Sequence, residues 1–345
     1  MQIIYLVDCY EGMLKPNTLR EHALVVSFFP TVTMGPILRV NNVLTQFRET
    51  ANKGISLEQL APSIALFSIG LFKKVVIADS FAIIANVGYG SPSTLSMIEG
   101  WVTSLSYTLQ IYFDFSGYSD MAIAIAMALG IKIPINFNSP YKSKSIVEFW
   151  QRWHISLTNF ITTYLYTPIV RSFAKLNFHK AMLATLITML IVGIWHGSSW
   201  GFLIFGALHG LGMVINHYWQ KKIKIKLPNF LAWALTFTYV NVAFIFFRAE
   251  SIPDATAVLF SLINFESVMS LATFKNALPL GTQTLSIIFC TMMGLIAMSS
   301  GKNSNQIIEK FQFSTKELVL ASFLMVVSLI YLNSNVSTGF IYYAF

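Results

Sequence analysis

The 345-residue chain is 55% hydrophobic and 14% aromatic with only 11% charged residues, and its mean hydropathy is +0.61; a soluble domain carries roughly 25% charge, so the composition excludes one and describes a polytopic membrane protein. The formal charge of +8 is spread over short Lys/Arg clusters between apolar runs, the pattern of cytoplasmic loops beside lipid headgroups and not of a nucleic-acid-binding face. Two cysteines, Cys9 and Cys290, exclude a disulfide framework and a cysteine metal site.

Met1 leads into IIYLVDCYEG with neither a basic flank nor a small-residue cleavage site, so no signal peptide is expected. His22 to Val40 is shorter than the roughly 20 residues of a span and is interrupted by Pro30, Gly35 and Pro36, which predicts a broken or re-entrant segment. Leu57 to Val87 is apolar but holds Lys73, Lys74 and Asp79 in its middle; the expectation is a helix that surfaces near a snorkelling lysine pair. Ile98 to Phe113 and Tyr118 to Ile131 read as two helices joined by DFSG, with Asp114, Ser116, Ser119 and Asp120 either capping helix ends or lining a polar passage, and Gly117 allowing the turn. IPINFNSPY follows as an irregular loop.

Ser145 and Glu148 have capping-box spacing ahead of an amphipathic helix that carries His154, with Trp150 one turn before it on the same face and Arg152 similarly placed relative to Ser156. Ala181 to Trp195 and Ser199 to Tyr218 predict two crossings that return to the cytoplasm at KKIKIK, Lys221 to Lys226. Leu227 to Phe247 leads outward, and Arg248 to Asn276 is expected to be extracytoplasmic with a surface helix. Thr282 to Ser299 then returns inward, Gly301 to Glu317 is cytoplasmic, and Leu318 to about Leu332 leads out to an extracytoplasmic Phe345. No internal repeat or low-complexity linker divides residues 1–345, so one integral-membrane domain is the economical reading.

Within GIWHGSSWGFLIFGALHG, His196 and His209 sit in an uncharged run, where an ionisable group needs a cavity or a packed polar network. Gly193, Gly197 and Gly201 leave room for a backbone or a ligand to approach. His154 and His196 together admit three readings. A metal pair lacks the HxxxH or HExxH spacing that would complete it, so no metal is expected. Packed, hydrogen-bonded histidines are the plain reading. Acid-base work is the third, since imidazole can take a proton from a hydroxyl and hand it to a leaving group.

YFDFSGYSDMAIAIAMALGI, NFNSPY, EFWQRWHISL, YLYTPI and the WHG of Trp195 to Gly197 resemble the membrane-bound O-acyltransferase family, as do FFPTVTMGPILR, GLFKKVVIAD and the terminal GFIYYAF. The similarity covers nearly the whole chain and is closest to the bacterial branch of alginate and peptidoglycan O-acetylating proteins and teichoic acid D-alanyl exporters. The resemblance implies an all-α, polytopic helical bundle around a central tunnel, in the bacterial cytoplasmic (inner) membrane. It implies acetyl-CoA or another acyl thioester as a cytoplasmic donor substrate, with no bound cofactor. Hydroxyls of an extracytoplasmic polysaccharide, alginate-like or peptidoglycan, would accept the acyl group, and an SGNH-type acetyltransferase or esterase would be the exported partner. His196 matches the family's invariant histidine, the implied general base, and His154 matches the second signature position, which binds or orients. Asp114, Asp120, Trp150, Arg152 and Trp195 match motif positions expected to be structural or tunnel-lining.

Family members usually carry further apolar segments ahead of the YLVD stretch, so the chain is expected to be an N-terminally shortened member. Three alternatives stay open: D-alanyl transfer to teichoic acid, a non-catalytic scaffold, and a transporter using buried His and Asp as a proton relay. The last would want corresponding broken helices in two related halves, which the sequence does not display.

Overall fold

The computed structural model describes residues 1–50, 56–267, 272–277, 294, 301–312, 314–333 and 339–341. Among the described residues every regular element is helical. Four helices are long and apolar enough to cross a membrane: Leu57–Gly90, Phe178–His196, Asn229–Arg248 and Thr315–Leu332. The predicted inward run Thr282 to Ser299 lies, apart from Gly294, outside the described residues, as do Cys290 and Phe345.

Before the first long helix the chain is broken, as the prolines require. A short helix, Leu19–Val26, is capped by Thr18 and Glu21 in a reciprocal capping box. It is followed by one 3-10 turn, Phe29–Thr31, and then extended chain to the helix Val40–Thr50.

Helix α1, Leu57–Gly90, is unbroken, with a π-helical stretch at Lys73–Ala78 in which one extra residue per turn redirects the side chains. Helix α2, Met97–Ala128, starts at a Ser96–Glu99 capping box and runs for 32 residues, where the sequence predicts two helices and a DFSG turn. Gly117 does not turn the chain. It is the point where α2 crosses α1: a methyl group on Gly117 would lie 2.7 Å from the Gly70 carbonyl oxygen, and one on Gly70 equally close to that of Gly117. Such a backbone-to-backbone crossing needs two residues without side chains.

That crossing determines the fate of the charges. Lys73 and Lys74 do not snorkel. The Lys74 ammonium lies 2.7 Å from Asp79 and 2.8 Å from Asp114, and that of Lys73 lies 2.6 Å from Asp120. All five side chains are largely or wholly buried. Asp114 and Asp120 therefore cap no helix. They sit in the middle of α2 and bind the two helices together, because an ion that cannot reach water must find its counter-ion inside the bundle. The network extends to later parts of the chain. Ser304 Oγ donates to Asp120 at 2.8 Å, Lys74 donates to the Gly339 carbonyl at 3.3 Å, and Asp114 accepts the Ile341 N–H at 3.1 Å.

Helices α3, Phe178–His196, and α4, Trp200–Tyr218, pair through a second glycine crossing. A methyl on Gly193 would come 2.4 Å from the Phe202 carbonyl and one on Gly206 2.4 Å from that of Met189. Helix α5, Asn229–Arg248, packs on α4 and α2, and its buried Asn241 is tied to α2 by bonds to Thr108 (2.7 Å) and Ser104 (3.1 Å). The surface helix expected after Arg248 is Ile252–Ser261; the Trp101 indole donates to the Leu262 carbonyl just after it at 3.1 Å.

Candidate active site

The segment that carries His154 is two short helices, Ile146–Arg152 and Ile155–Ile161, where the sequence predicts one. Ser145 caps the first by accepting the Glu148 N–H, but the Glu148 carboxylate takes the Lys144 N–H instead of closing the box. The break falls on His154, whose backbone is left-handed at φ 43° and ψ 55°. A side chain with a Cβ pays about 1–3 kcal/mol to stay there, and the chain holds it by clamping both sides of the break to the NFNSPY loop. Asn138 N–H donates to the Arg152 carbonyl and Ile155 N–H to that of Asn136, each at 2.9 Å. Arg152 reaches back to the Asn138 carbonyl at 3.1 Å while paired with Glu148 at 2.9 Å.

The break falls between Trp150 and His154, so the two do not lie one turn apart on one helix face as the sequence predicts. Instead His154 is buried against the edge of Phe115, ring centroids 4.7 Å apart, with its Nδ1 3.3 Å from Asn136 Oδ1. Trp150 is buried and donates from its indole N–H to His209 Nδ1 at 3.1 Å. That bond makes Nδ1 the acceptor, so the hydrogen of neutral His209 sits on Nε2, which has no hydrogen-bond partner among the described residues.

His196 ends α3, half-buried, with Phe247 at 5.1 Å and Phe205 at 5.9 Å. Phe205 also touches His209, at 4.4 Å. A run of aromatic contacts continues from Phe205 through Phe244, Trp153 and Phe137 to Phe115 beside His154. Three imidazoles from three segments are thus linked by one continuous run of aromatic rings. No group of three or more His, Cys, Asp or Glu side chains suited to a metal ion occurs among the described residues.

The model of the membrane-bound O-acyltransferase family matches residues 21–252, a stretch that includes all three histidines and the buried lysines. The chain belongs to this family. It is 36% identical over 342 residues to a peptidoglycan O-acetyltransferase of Helicobacter pylori, covering 94% of this chain and 64% of that protein. It is 37% identical over 267 residues to a probable alginate O-acetylase of Azotobacter vinelandii, covering 76% and 52%. A teichoic acid D-alanyltransferase of Streptococcus thermophilus is 30% identical over 231 residues, covering 64% and 55%. The chain spans between half and two thirds of the length of these relatives.

In this family member the residues singled out from the sequence fall into two groups. His154, His196 and, through His209, Trp150 meet in the aromatic neighbourhood. Asp114 and Asp120 do not reach it, being committed to Lys74 and Lys73. Arg152 holds the loop that shapes the His154 turn. Trp195 is 64% exposed beside the His196 ring, so it is not packed into a wall of the site. Gly193 and Gly201 admit backbone, the Phe202 and Phe246 carbonyls, and Gly197 faces the Phe202 ring; the space they leave is filled by protein. Sequence reasoning missed Asn136, which touches His154 directly. In the sequence it reads only as one of the two asparagines of the irregular loop IPINFNSPY.

Proposed function

We propose that the chain is the membrane part of an O-acetyltransferase that moves acetyl groups from a cytoplasmic thioester, acetyl-CoA or a similar donor, towards hydroxyls of an extracytoplasmic polysaccharide, peptidoglycan or an alginate-like polymer. Residues 1–345 act as one domain in the bacterial cytoplasmic membrane, and an exported SGNH-type acetyltransferase or esterase completes delivery. The observation that carries this reading is the joining of His154 and His196, from segments distant in sequence, by one run of aromatic rings.

In the proposed reaction the acceptor hydroxyl gives its proton to the His196 imidazole as its oxygen bonds to the thioester carbonyl carbon. The tetrahedral intermediate collapses, the carbon–sulfur bond breaks with its electron pair on sulfur, and the imidazolium returns the proton to the leaving thiolate. His154 binds or orients the reactants. D-alanyl transfer to teichoic acid is the second reading, supported by the similarity to D-alanyltransferases.

The test is His196→Ala, assayed in membranes with acetyl-CoA and with a D-alanyl carrier thioester. Loss of a general base lowers transfer by about 10² to 10⁴, while the protein still purifies with the parent's thermal midpoint. Transfer at the parent rate by a folded His196→Ala protein overturns the assignment, and whichever donor the parent consumes separates the two readings.

A further inference from the structure

His154 can carry its hydrogen on either ring nitrogen, and which one it uses decides whether it offers the site a lone pair or a donor. The hydrogen-bond chain behind the ring settles this from a donor whose direction is not in question. The backbone N–H of Ile37 donates to Ser156 Oγ at 2.9 Å. The Ser156 hydroxyl, accepting there, turns its own hydrogen to Asn136 Oδ1 at 2.6 Å. The Ser156 backbone N–H, also only a donor, points to the same oxygen at 3.2 Å. An amide nitrogen in that position would face two donors, so the atom is the carbonyl oxygen of Asn136. Its amide nitrogen lies on the other side, 3.5 Å from Ser119 Oγ.

We infer that Asn136 is a positioning residue that fixes His154 as its Nδ1–H tautomer, so that His154 presents the Nε2 lone pair and acts as a proton or hydrogen-bond acceptor towards a substrate hydroxyl. Nδ1 is 3.3 Å from Asn136 Oδ1, and an oxygen that already collects two hydrogens can be approached by the ring only through an N–H. The hydrogen bond that His154 makes through its ring is the one at Nδ1, which leaves Nε2 without one among the described residues. The backbone contributes as well. The left-handed turn at His154 is held by the Ile155 N–H on the Asn136 carbonyl, so one residue sets both where the imidazole stands and which nitrogen it offers. His209 is fixed the other way, with its hydrogen on Nε2. The neighbourhood therefore contains one imidazole held as an acceptor and one held as a donor, each by a buried partner outside the pair.

The inference extends the acyltransferase reading, and its first test does not use activity. Nitrogen NMR of the purified chain carrying ring-labelled histidine, with the His154 signals assigned by their loss in His154→Ala, should show a protonated Nδ1 and an unprotonated Nε2. Asn136→Asp keeps the acceptor oxygen and should keep that signature, whereas Asn136→Leu should lose it and fall towards the mixture of an unconstrained imidazole. An Nε2–H signal for His154 in the parent overturns the tautomer; an Nδ1–H signal that persists in Asn136→Leu overturns the role of Asn136. If Asn136→Leu does not fold, Asn136→Asp decides, since loss of the Nδ1–H signature in a folded Asp variant also overturns the role. In the transfer assay Asn136→Asp should retain activity within about tenfold of the parent, and a folded Asn136→Leu should lose 10-fold or more. A parent with the expected nitrogen signature that transfers no acyl group defeats the acyltransferase reading and leaves the tautomer standing.

Discussion

Two glycine-on-glycine crossings occur among the described residues, and they differ in what surrounds them. At the Gly70–Gly117 crossing of α1 and α2 the neighbours are two lysines and three aspartates, which answer one another. At the Gly193–Gly206 crossing of α3 and α4 the ionisable neighbours are His196 and His209, surrounded by phenylalanines. Both crossings bring backbones close enough to place side chains across a helix pair. In the first, formal charges are buried and paired within the protein, which makes the region a fastening. In the second, His209 is buried and His196 half-buried among aromatic rings. The same helix-packing device thus gathers paired charges in one place and imidazoles with aromatic rings in the other.

The sharpest way to break this comparison is Lys74→Met. It leaves Asp79 and Asp114 buried without their shared ammonium, and losing one partner of a buried ion pair typically costs about 3–5 kcal/mol. The thermal midpoint in detergent should fall sharply, and adding Asp79→Asn and Asp114→Asn should recover much of the loss by removing the stranded charges. If Lys74→Met melts with the parent and only transfer is lost, the lysine network belongs to the chemistry and the contrast fails. His196→Ala should behave in the opposite way, losing transfer while keeping the midpoint.

A smaller effect is expected at Lys73→Met. Asp120 keeps its bond from Ser304 when Lys73 is gone, so the cost should be that of one charge-assisted hydrogen bond, about 1.5–3 kcal/mol. A loss as large as that of Lys74→Met would mean that the serine offers the carboxylate nothing.

These two lysines also show where the sequence stopped being readable. Long apolar runs locate helices because hydropathy is local, and the spans from Phe178, Asn229 and Thr315 lie where the sequence predicts them. The direction of a buried charge is not local. Lys73 finds Asp120, 47 positions away, only because two glycines on different helices meet, and in the sequence alone the lysine pair reads as a snorkelling helix end. The same glycine, Gly117, beside Asp114 and Ser116, imitates a turn when its partner Gly70 is out of view. At His154 the difficulty is of another kind. A helical period runs straight through EFWQRWHISL, and the break comes from the NFNSPY loop clamping the backbone on both sides. His196 stood out as a candidate because an imidazole in an apolar run needs a reason, and His154 because it shares a helix with tryptophans and charges, whereas Asn136 had no such mark.

Whether the histidine side of the comparison is a packed network or a poised one can be tested at Trp150. Trp150 and His209 form one buried hydrogen bond, and Trp150→Phe removes the donor while leaving His209 Nδ1 in the interior without it. Stranding a buried acceptor costs about 1–3 kcal/mol. Replacing both partners, in Trp150→Phe with His209→Phe, leaves neither group unsatisfied, and for a bond that serves only packing the pair of changes should be nearly neutral relative to Trp150→Phe alone, or better. The Nε2–H of His209 adds a second condition, because it is buried with no partner among the described residues and its desolvation is a standing cost that His209→Phe removes. The double variant should therefore melt above the single variant in detergent. A double variant that melts below it would show that His209 Nε2–H has a partner that holds the bundle together. One that melts above it but transfers less than Trp150→Phe would place His209, as a hydrogen-bond donor, on the chemical side of the comparison beside His154 and His196.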